Sequence, residues 1–244
     1  MIPLRDANPT RRAPILTVGL IVTCVVVWFY ELGTETTAGE RGLTALFLQY
    51  GLVPAELTAA LATGRDLIGE LASLLSSMFL HGGWLHLIGN MLYLWIFGNN
   101  IEDRFGHLGF LAFYVLGGVV AAGTQVFIDP SSEIPVIGAS GAIAAILGAY
   151  VVLYPRARVL SLVFLGFFYQ LLEVPALLIL GFWFVLQLIS GFGSLGAQSS
   201  IEGGVAFFAH IGGFVAGALT ALVVQRLGRG PDRRAGSGGR FGVG

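Results

Sequence analysis

The chain has 244 residues, of which 55% are hydrophobic and 11% charged, with a formal net charge of −1 and a mean hydropathy of +0.82. Such a composition excludes an ordinary water-soluble domain and fits a polytopic membrane protein the size of one helical bundle, and the near-neutral charge gives no basis for a nucleic-acid partner. The single cysteine, Cys24, lies in an apolar run, which excludes both a disulfide framework and a cysteine metal cage.

A spanning helix needs about 20 mostly apolar residues, and six windows approach that length. The first runs from Pro14 to Tyr30 behind Arg11 and Arg12. A cleaved signal peptide is the competing reading, but the helix count and charge pattern favour a retained span. The connection from Glu31 to Leu80 is long, and its apolar runs Leu43–Leu48 and Leu71–Leu80 predict short helices lying partly in the membrane interface. The second window, Gly83–Gly98, and the fourth, Gly138–Tyr154, are short for a full crossing, so their outer ends are expected below the membrane surface. Leu108–Ile128, Val174–Phe192 and Gly204–Leu227 are the third, fifth and sixth. Between the fourth and fifth, Val159–Leu172 is apolar, bounded by Arg158 and Glu173 and interrupted by Gly166. A seventh span would put the termini on opposite sides, so an interfacial or re-entrant excursion is expected there. The Gly- and Arg-rich tail from Gly228 is expected to be disordered.

Charge placement tests this count, because cytoplasmic connections carry an excess of Arg and Lys. All thirteen basic residues are Arg. With the N-terminus inside, Arg5, Arg11, Arg12, Arg104, Arg156, Arg158, Arg226, Arg229, Arg233, Arg234 and Arg240 fall on the cytoplasmic side, and only Arg41 and Arg65 fall outside. The outer connections instead carry Glu31, Glu35, Glu40, Glu56, Asp66, Glu70, Asp129, Glu133 and Glu202. The expected fold is therefore an all-α membrane protein of six transmembrane helices with both termini cytoplasmic. Residues 1–13 form a cytoplasmic segment, 14–227 the helical domain and 228–244 the tail.

Polar residues inside spans cost free energy unless they pair or serve a function. His81, His86 and Asn90 lie at the start of the second window, Ser140 at the start of the fourth and His210 early in the sixth. These three helices all run from outside to inside, and His210 lies roughly 9 Å below a helix start near Gly204 at 1.5 Å per residue. One outer layer thus collects the polar groups of three helices. A serine hydroxyl needs an adjacent base to become a nucleophile, and His210 can serve. His86 and Asn90, four apart on one helical face, and the Ser140 backbone N–H at a helix N-terminus are placed to stabilise an oxyanion. No acidic residue lies in the spans at that depth, so the arrangement reads as a Ser-His dyad. Gly141, Ala145 and Gly148 form a small face on the fourth helix, and Gly213 and Gly217 lie one turn apart on the sixth, which permits backbone-to-backbone packing. Other readings remain open from the residues alone: Ser140 as a packing residue, His210 as a helix-to-helix hydrogen-bond donor, and His81, His86 and His210 as zinc ligands. The last lacks the acidic base of a His-Glu-x-x-His site.

The strings His81-Gly-Gly-Trp-Leu-His86-Leu-Ile-Gly-Asn90, Gly138-Ala-Ser140-Gly141 and Ala209-His210-Ile-Gly-Gly213 followed by Gly217 make the chain resemble the rhomboid family of intramembrane serine proteases, from about Tyr50 to Leu222. The resemblance implies a six-helix rhomboid fold with Ser140 as nucleophile and His210 as general base. It further implies that His86, Asn90 and the Ser140 amide stabilise the oxyanion and that Gly138 shapes the loop before the serine. Glu102 and Arg104 match a structural polar cluster beneath the second helix, and His81 supports the first outer loop. Two departures stand out. A Trp-Arg pair of the first outer loop is replaced by Ala72 and Ser73, and an aromatic one turn after the serine is replaced by Ala144, leaving open what orients the His210 ring.

The activity so implied is endoproteolysis of single-span membrane proteins in or beside their transmembrane segment, with the lipid bilayer as the other partner and no metal or nucleotide cofactor. The expected location is a prokaryotic plasma membrane, with the site facing the outer side. The alternatives are a non-proteolytic rhomboid-like protein that binds membrane clients, or a transporter; an intact serine and histidine argue against the first and the lack of an internal repeat against the second.

Overall fold

A computed structural model describes residues 1–165, 168–194 and 206–227. Helix α1 (Ile15–Tyr50) begins one residue after Pro14 and runs far beyond the apolar window, with one interruption at Gly39, whose backbone has φ 69°. The part from Glu31 onward is helical on either side of Gly39; a lack of lipid-compatible residues ends a span, not an α-helix. The long outer connection then folds into α2 (Pro54–Thr63) and α3 (Leu67–Ser76); the apolar run Leu71–Leu80 falls on α3 and the turn after it, whereas Leu43–Leu48 lies within α1 and neither run marks α2. A sharp turn through Leu80–Gly83 leads into α4 (Trp84–Tyr93), which continues through a π-helical turn, Leu94–Gly98, into α5 (Asn99–Phe105). The run from Trp84 to Phe105 is bent by 84° from Leu67–Phe79.

The remaining helices are α6 (His107–Ile128), α7 (Ser140–Leu153), α8 (Ala176–Ser194) and α9 (Phe207–Leu227). Among the described residues, α1, α6, α8 and α9 are each long and apolar enough to cross a membrane, and a fifth crossing is reached by counting the bent pair as one span; α7 is apolar but shorter. The chain is thus a mostly helical, multi-pass membrane protein. The expected disorder of the tail, and the first residues of the sixth window, lie outside the described residues.

The all-α expectation is corrected on the side of the molecule where α5 ends. The described residues of 159–172 are not helical. They belong to an antiparallel ladder of β2 (Arg158–Leu165) and β3 (Phe168–Pro175), in register from Arg158 opposite Pro175 to Leu165 opposite Phe168. Strand β1 (Ile2–Asp6), from the N-terminal segment, pairs with the other edge of β2. The physical reason is local: the run is rich in β-branched and aromatic residues, and each half is too short to cross lipid as a helix. Val159 and Ser161 point inward and are fully buried, and Arg158 donates to the Glu173 carbonyl at 3.0 Å at the open end of the ladder. The sheet is tied to the helices by Asp6, whose carboxylate accepts from Asn100 Nδ2 and Tyr150 OH, both at 2.7 Å. Burial pushes the Asp6 carboxyl above its ordinary range, against the pull of these donors.

Helix α7 is the centre of the bundle, and every residue from Ala142 to Tyr150 is buried. It packs most extensively on α9, and the contact is backbone on backbone. A Cβ on Gly213 would strike the Gly141 carbonyl, one on Gly217 the Ala145 carbonyl, and one on Gly148 the Phe214 carbonyl. On the next side, a Cβ on Gly141 would come within 2.7 Å of Ala121 of α6. Such approach lets dispersion act between main chains, which is how membrane helices associate without a hydrophobic driving force. Gly217→Ala is therefore expected to lower the thermal midpoint in detergent by about 5 °C or more, the scale of an overpacked core. Gly123→Ala on α6, where no atom lies within 4 Å of the new Cβ, should leave it unchanged; equal midpoints for the two variants would refute the close packing.

Candidate active site

Ser140 opens α7, and His210 lies on the first turn of α9. The α7–α9 contact therefore decides whether they meet. Their side chains are hydrogen-bonded, Ser140 Oγ to His210 Nε2 at 2.7 Å. The other ring nitrogen, Nδ1, lies 2.8 Å from Gln187 Oε1 of α8. An amide oxygen only accepts, so Nδ1 carries the proton and Nε2 presents its lone pair to the serine. The ring of Trp183, one turn before Gln187 on the same face of α8, lies 5.7 Å from the His210 ring at 40°. The orientation that Ala144 leaves open is thus supplied by α8. Sequence reasoning missed both residues, although a lone Gln in an apolar window is the same kind of signal that marked His210. A second glutamine, Gln125 of α6, accepts from the Ala209 N–H at 3.3 Å and satisfies one of the free donors in the first turn of α9.

The wall facing the dyad comes from the turn before α4 and from α4 itself. His86 Nδ1 accepts from the Gly82 N–H at 3.3 Å, which leaves Nε2 as the ring's N–H donor in the neutral form. Gly138 is held over that atom. Its φ is 120°, a conformation that L side chains rarely adopt, and a Cβ there would lie 2.6 Å from His86 Nε2. Its N–H donates to the Ser77 carbonyl at 2.8 Å, which pins the loop before the serine. Asn90 is 8% exposed, and its Nδ2 is buried without a hydrogen-bond partner. The first turn of α7 has no side-chain cap, so the Ser140 N–H is a further donor without an intrahelical acceptor.

Behind His86 stands His81, fully buried, its ring 5.2 Å away at 65°. His81 donates its backbone N–H to Glu31 Oε1 at 3.0 Å and places Nδ1 3.1 Å from the Phe79 carbonyl, which joins the turn before α4 to α1. His86, Asn90, Ser140, Trp183 and His210 line one cavity of about 550 Å³, together with apolar residues such as Leu85, Ile137 and Leu147. Among the described residues no three His, Cys, Asp or Glu side chains are grouped so as to hold a metal ion.

The remaining expected residues separate. Glu102 is buried and accepts from the Leu16 N–H at 2.9 Å, the Thr17 N–H at 2.8 Å and the Thr17 hydroxyl at 2.7 Å, with His107 Nδ1 at 2.6 Å. It caps the start of α1, as a carboxylate favours a helix N-terminus. Arg104 does not join it. Two residues on, about half a turn round α5, Arg104 is exposed and faces a cleft shared with Arg11 and Arg12.

A model of the rhomboid domain matches residues 68–227. The chain is 26% identical to the mitochondrial rhomboid protein 1 of Saccharomyces cerevisiae over 72% of its own length and 49% of that protein. It is 33% identical to the rhomboid protease GluP of Bacillus subtilis over 63% of its length and 27% of that protein, and 25% identical to the rhomboid protease AarA of Providencia stuartii over 85% and 71%. It thus spans about half of the yeast protein and about a quarter of the Bacillus one. With a mitochondrial protein beside bacterial ones, the relatives do not support a prokaryotic plasma membrane in particular; they support a membrane protein.

Replacing Gln187 by Leu removes the acceptor on His210 Nδ1 while keeping the volume. The rate at which a fluorophosphonate probe labels Ser140 should then fall about tenfold to a hundredfold, as for other residues that orient a histidine through its second nitrogen. An unchanged rate would show that Gln187 does not hold the ring.

Proposed function

Because the chain belongs to the rhomboid family, we propose that it is an intramembrane serine endopeptidase that cuts transmembrane proteins in or near their membrane-spanning segment. The observation that carries this reading is the 2.7 Å contact of Ser140 Oγ with His210 Nε2 in a cavity that also holds the unpartnered Asn90 amide. A buried donor without an acceptor costs free energy, and Asn90 lines the same cavity as Ser140.

In the proposed reaction His210 Nε2 takes the Ser140 proton as Oγ attacks the scissile carbonyl. Gln187 stabilises the resulting imidazolium by accepting from Nδ1–H. The tetrahedral oxyanion accepts hydrogen bonds from Asn90 Nδ2, His86 Nε2–H and the Ser140 N–H, donors fixed beforehand and so free of reorganisation cost. Collapse returns the proton from Nε2 to the leaving amine, leaving an acyl group on Ser140. Water, activated by the same histidine, then releases it. Helical substrates keep their carbonyls in hydrogen bonds, so a segment weakened by Gly near the cut site is the favoured substrate.

We further place six spans in the bilayer: the first part of α1, the continuous run α4–α5, and α6, α7, α8 and α9, forming a protease domain over 14–227 between the N-terminal segment 1–13 and the tail 228–244. The arginine distribution supports cytoplasmic termini. At 14 residues, α7 is about 21 Å long, shorter than a hydrocarbon core of about 30 Å, so Ser140 is placed below the outer surface. Single-span proteins are the proposed substrates.

Ser140→Ala and His210→Ala should each lower cleavage of a single-span model substrate in proteoliposomes by about 10⁴-fold or more, and the double variant by no more than either, as for groups that act as a unit. Cleavage by either single variant within about tenfold of the wild-type rate would remove the dyad.

A further inference from the structure

Two cavities meet at Arg104, at the opposite end of α7 and α9 from Ser140. The first is a polar cleft of about 580 Å³ beside Leu153, Tyr154 and Gln225, lined by Arg11, Arg12, Arg104 and Asp103. Asp103 is already occupied by main chain, its Oδ1 accepting from the N–H groups of Arg12 at 2.9 Å and Arg11 at 3.2 Å. The three guanidinium groups are exposed, and none forms an ion pair with a carboxylate of the described residues. Arg12 Nη1 stands over Gly106, 2.9 Å from where a Cβ would be, so it lies against the α5–α6 turn that also carries Arg104. Three cations against one carboxylate leave the cleft net positive, and guanidinium forks match phosphate oxygens in pairs.

The second cavity, about 510 Å³, begins at Arg104 and Phe105 and runs along the outside of the bundle between α6 and α9. Gly109, Ala112, Gly117 and Gly217 form its floor, and Leu116 and Val120, both exposed, stand at its edge. From Gly109 to Val120 it extends about 17 Å at 1.5 Å per residue, close to half of a hydrocarbon core of about 30 Å. A positive polar cleft that opens at one shared residue into an apolar furrow one leaflet deep has the shape and charge of an amphiphile with an anionic head.

We propose that this composite site binds an anionic glycerophospholipid, its phosphate held by Arg11, Arg12 and Arg104 and one acyl chain lying in the α6–α9 furrow. The site is independent of the proteolytic reading and needs only that the helices sit in a bilayer. A lipid held here bridges the N-terminal segment, the α5–α6 turn and α9.

The test is native mass spectrometry of the full chain released from nanodiscs made of equal phosphatidylglycerol and phosphatidylcholine with identical acyl chains. Wild-type protein should retain phosphatidylglycerol over phosphatidylcholine by about tenfold or more, because each arginine near the headgroup favours the anionic lipid. The preference should disappear in Arg12→Gln/Arg104→Gln. Retention should also be lost in Ala112→Phe, which fills the furrow and leaves every charge in place. Excess soluble glycerol phosphate should not displace the lipid. Equal retention of the two lipids, or an anionic preference that survives Ala112→Phe, or displacement by glycerol phosphate, each overturns the proposal, the last by showing a site for free phosphate alone. Folding of each variant is read from its thermal midpoint. If the Arg104 variant does not fold, Arg11→Gln/Arg12→Gln, confined to the exposed segment before α1, gives the same decision.

Discussion

The close approach of α7 and α9 is the constraint from which the rest of the site follows. Where Gly213 and Gly217 lie on the carbonyls of Gly141 and Ala145, and Gly148 lies on that of Phe214, no side chain separates the two main chains. The start of each helix is then drawn to the start of the other, and Ser140 and His210 come within hydrogen-bond distance without any strained side-chain reach. A single methyl group on this seam acts at a distance from the chemistry, because it moves a helix rather than a side chain. Membrane proteins have no hydrophobic effect to press helices together in lipid, so contact of small residues must supply the attraction.

Around that seam the polar groups are arranged in two unequal halves. On the side of the histidine the ring and the start of its helix are held: Gln187 accepts from the ring, Trp183 lies beside it and Gln125 accepts from the Ala209 N–H. On the other side donors are left open, the Asn90 amide and the first-turn N–H of α7 among them. Satisfaction on one side fixes the base. Lack of it on the other is the part of the fold that gains when negative charge appears in the cavity, since a preorganised donor makes its best hydrogen bond only then. His81 and Glu31 carry the rigidity of α1 to this open half through the turn before α4.

Much of this was legible in the chain itself. Ser140, His86, Asn90 and His210 are polar residues inside apolar windows, and the small-residue spacing of the fourth and sixth windows foretold which helices would touch. Of the short helices of the outer connection, α3 coincides with the apolar run Leu71–Leu80, and α2 with neither run. Other features were hidden for physical reasons. The stretch 159–172 has the composition of lipid-facing sequence, and hydropathy does not distinguish a short apolar helix from a β-hairpin; its partner strand, β1, lies more than a hundred and fifty residues away in sequence. The extension of α1 past Tyr30 leaves no mark in hydropathy, because helices do not stop where lipid does. Gln187 and Trp183 form no motif with His210 along the chain and meet it only through the packing of α8 on α9. Arg104 shares a turn with Glu102, but its side chain leaves on the other side of α5.

The most direct measurement of the central claim is the structure of the chain after reaction with a fluorophosphonate. With the proposed dyad and oxyanion donors, phosphorus is bonded to Ser140 Oγ and its free oxygen lies within about 3 Å of Asn90 Nδ2 and the His86 ring nitrogen, the spacing expected of oxyanion donors. An adduct on another residue, or a phosphoryl oxygen turned away from His86 and Asn90, would contradict it.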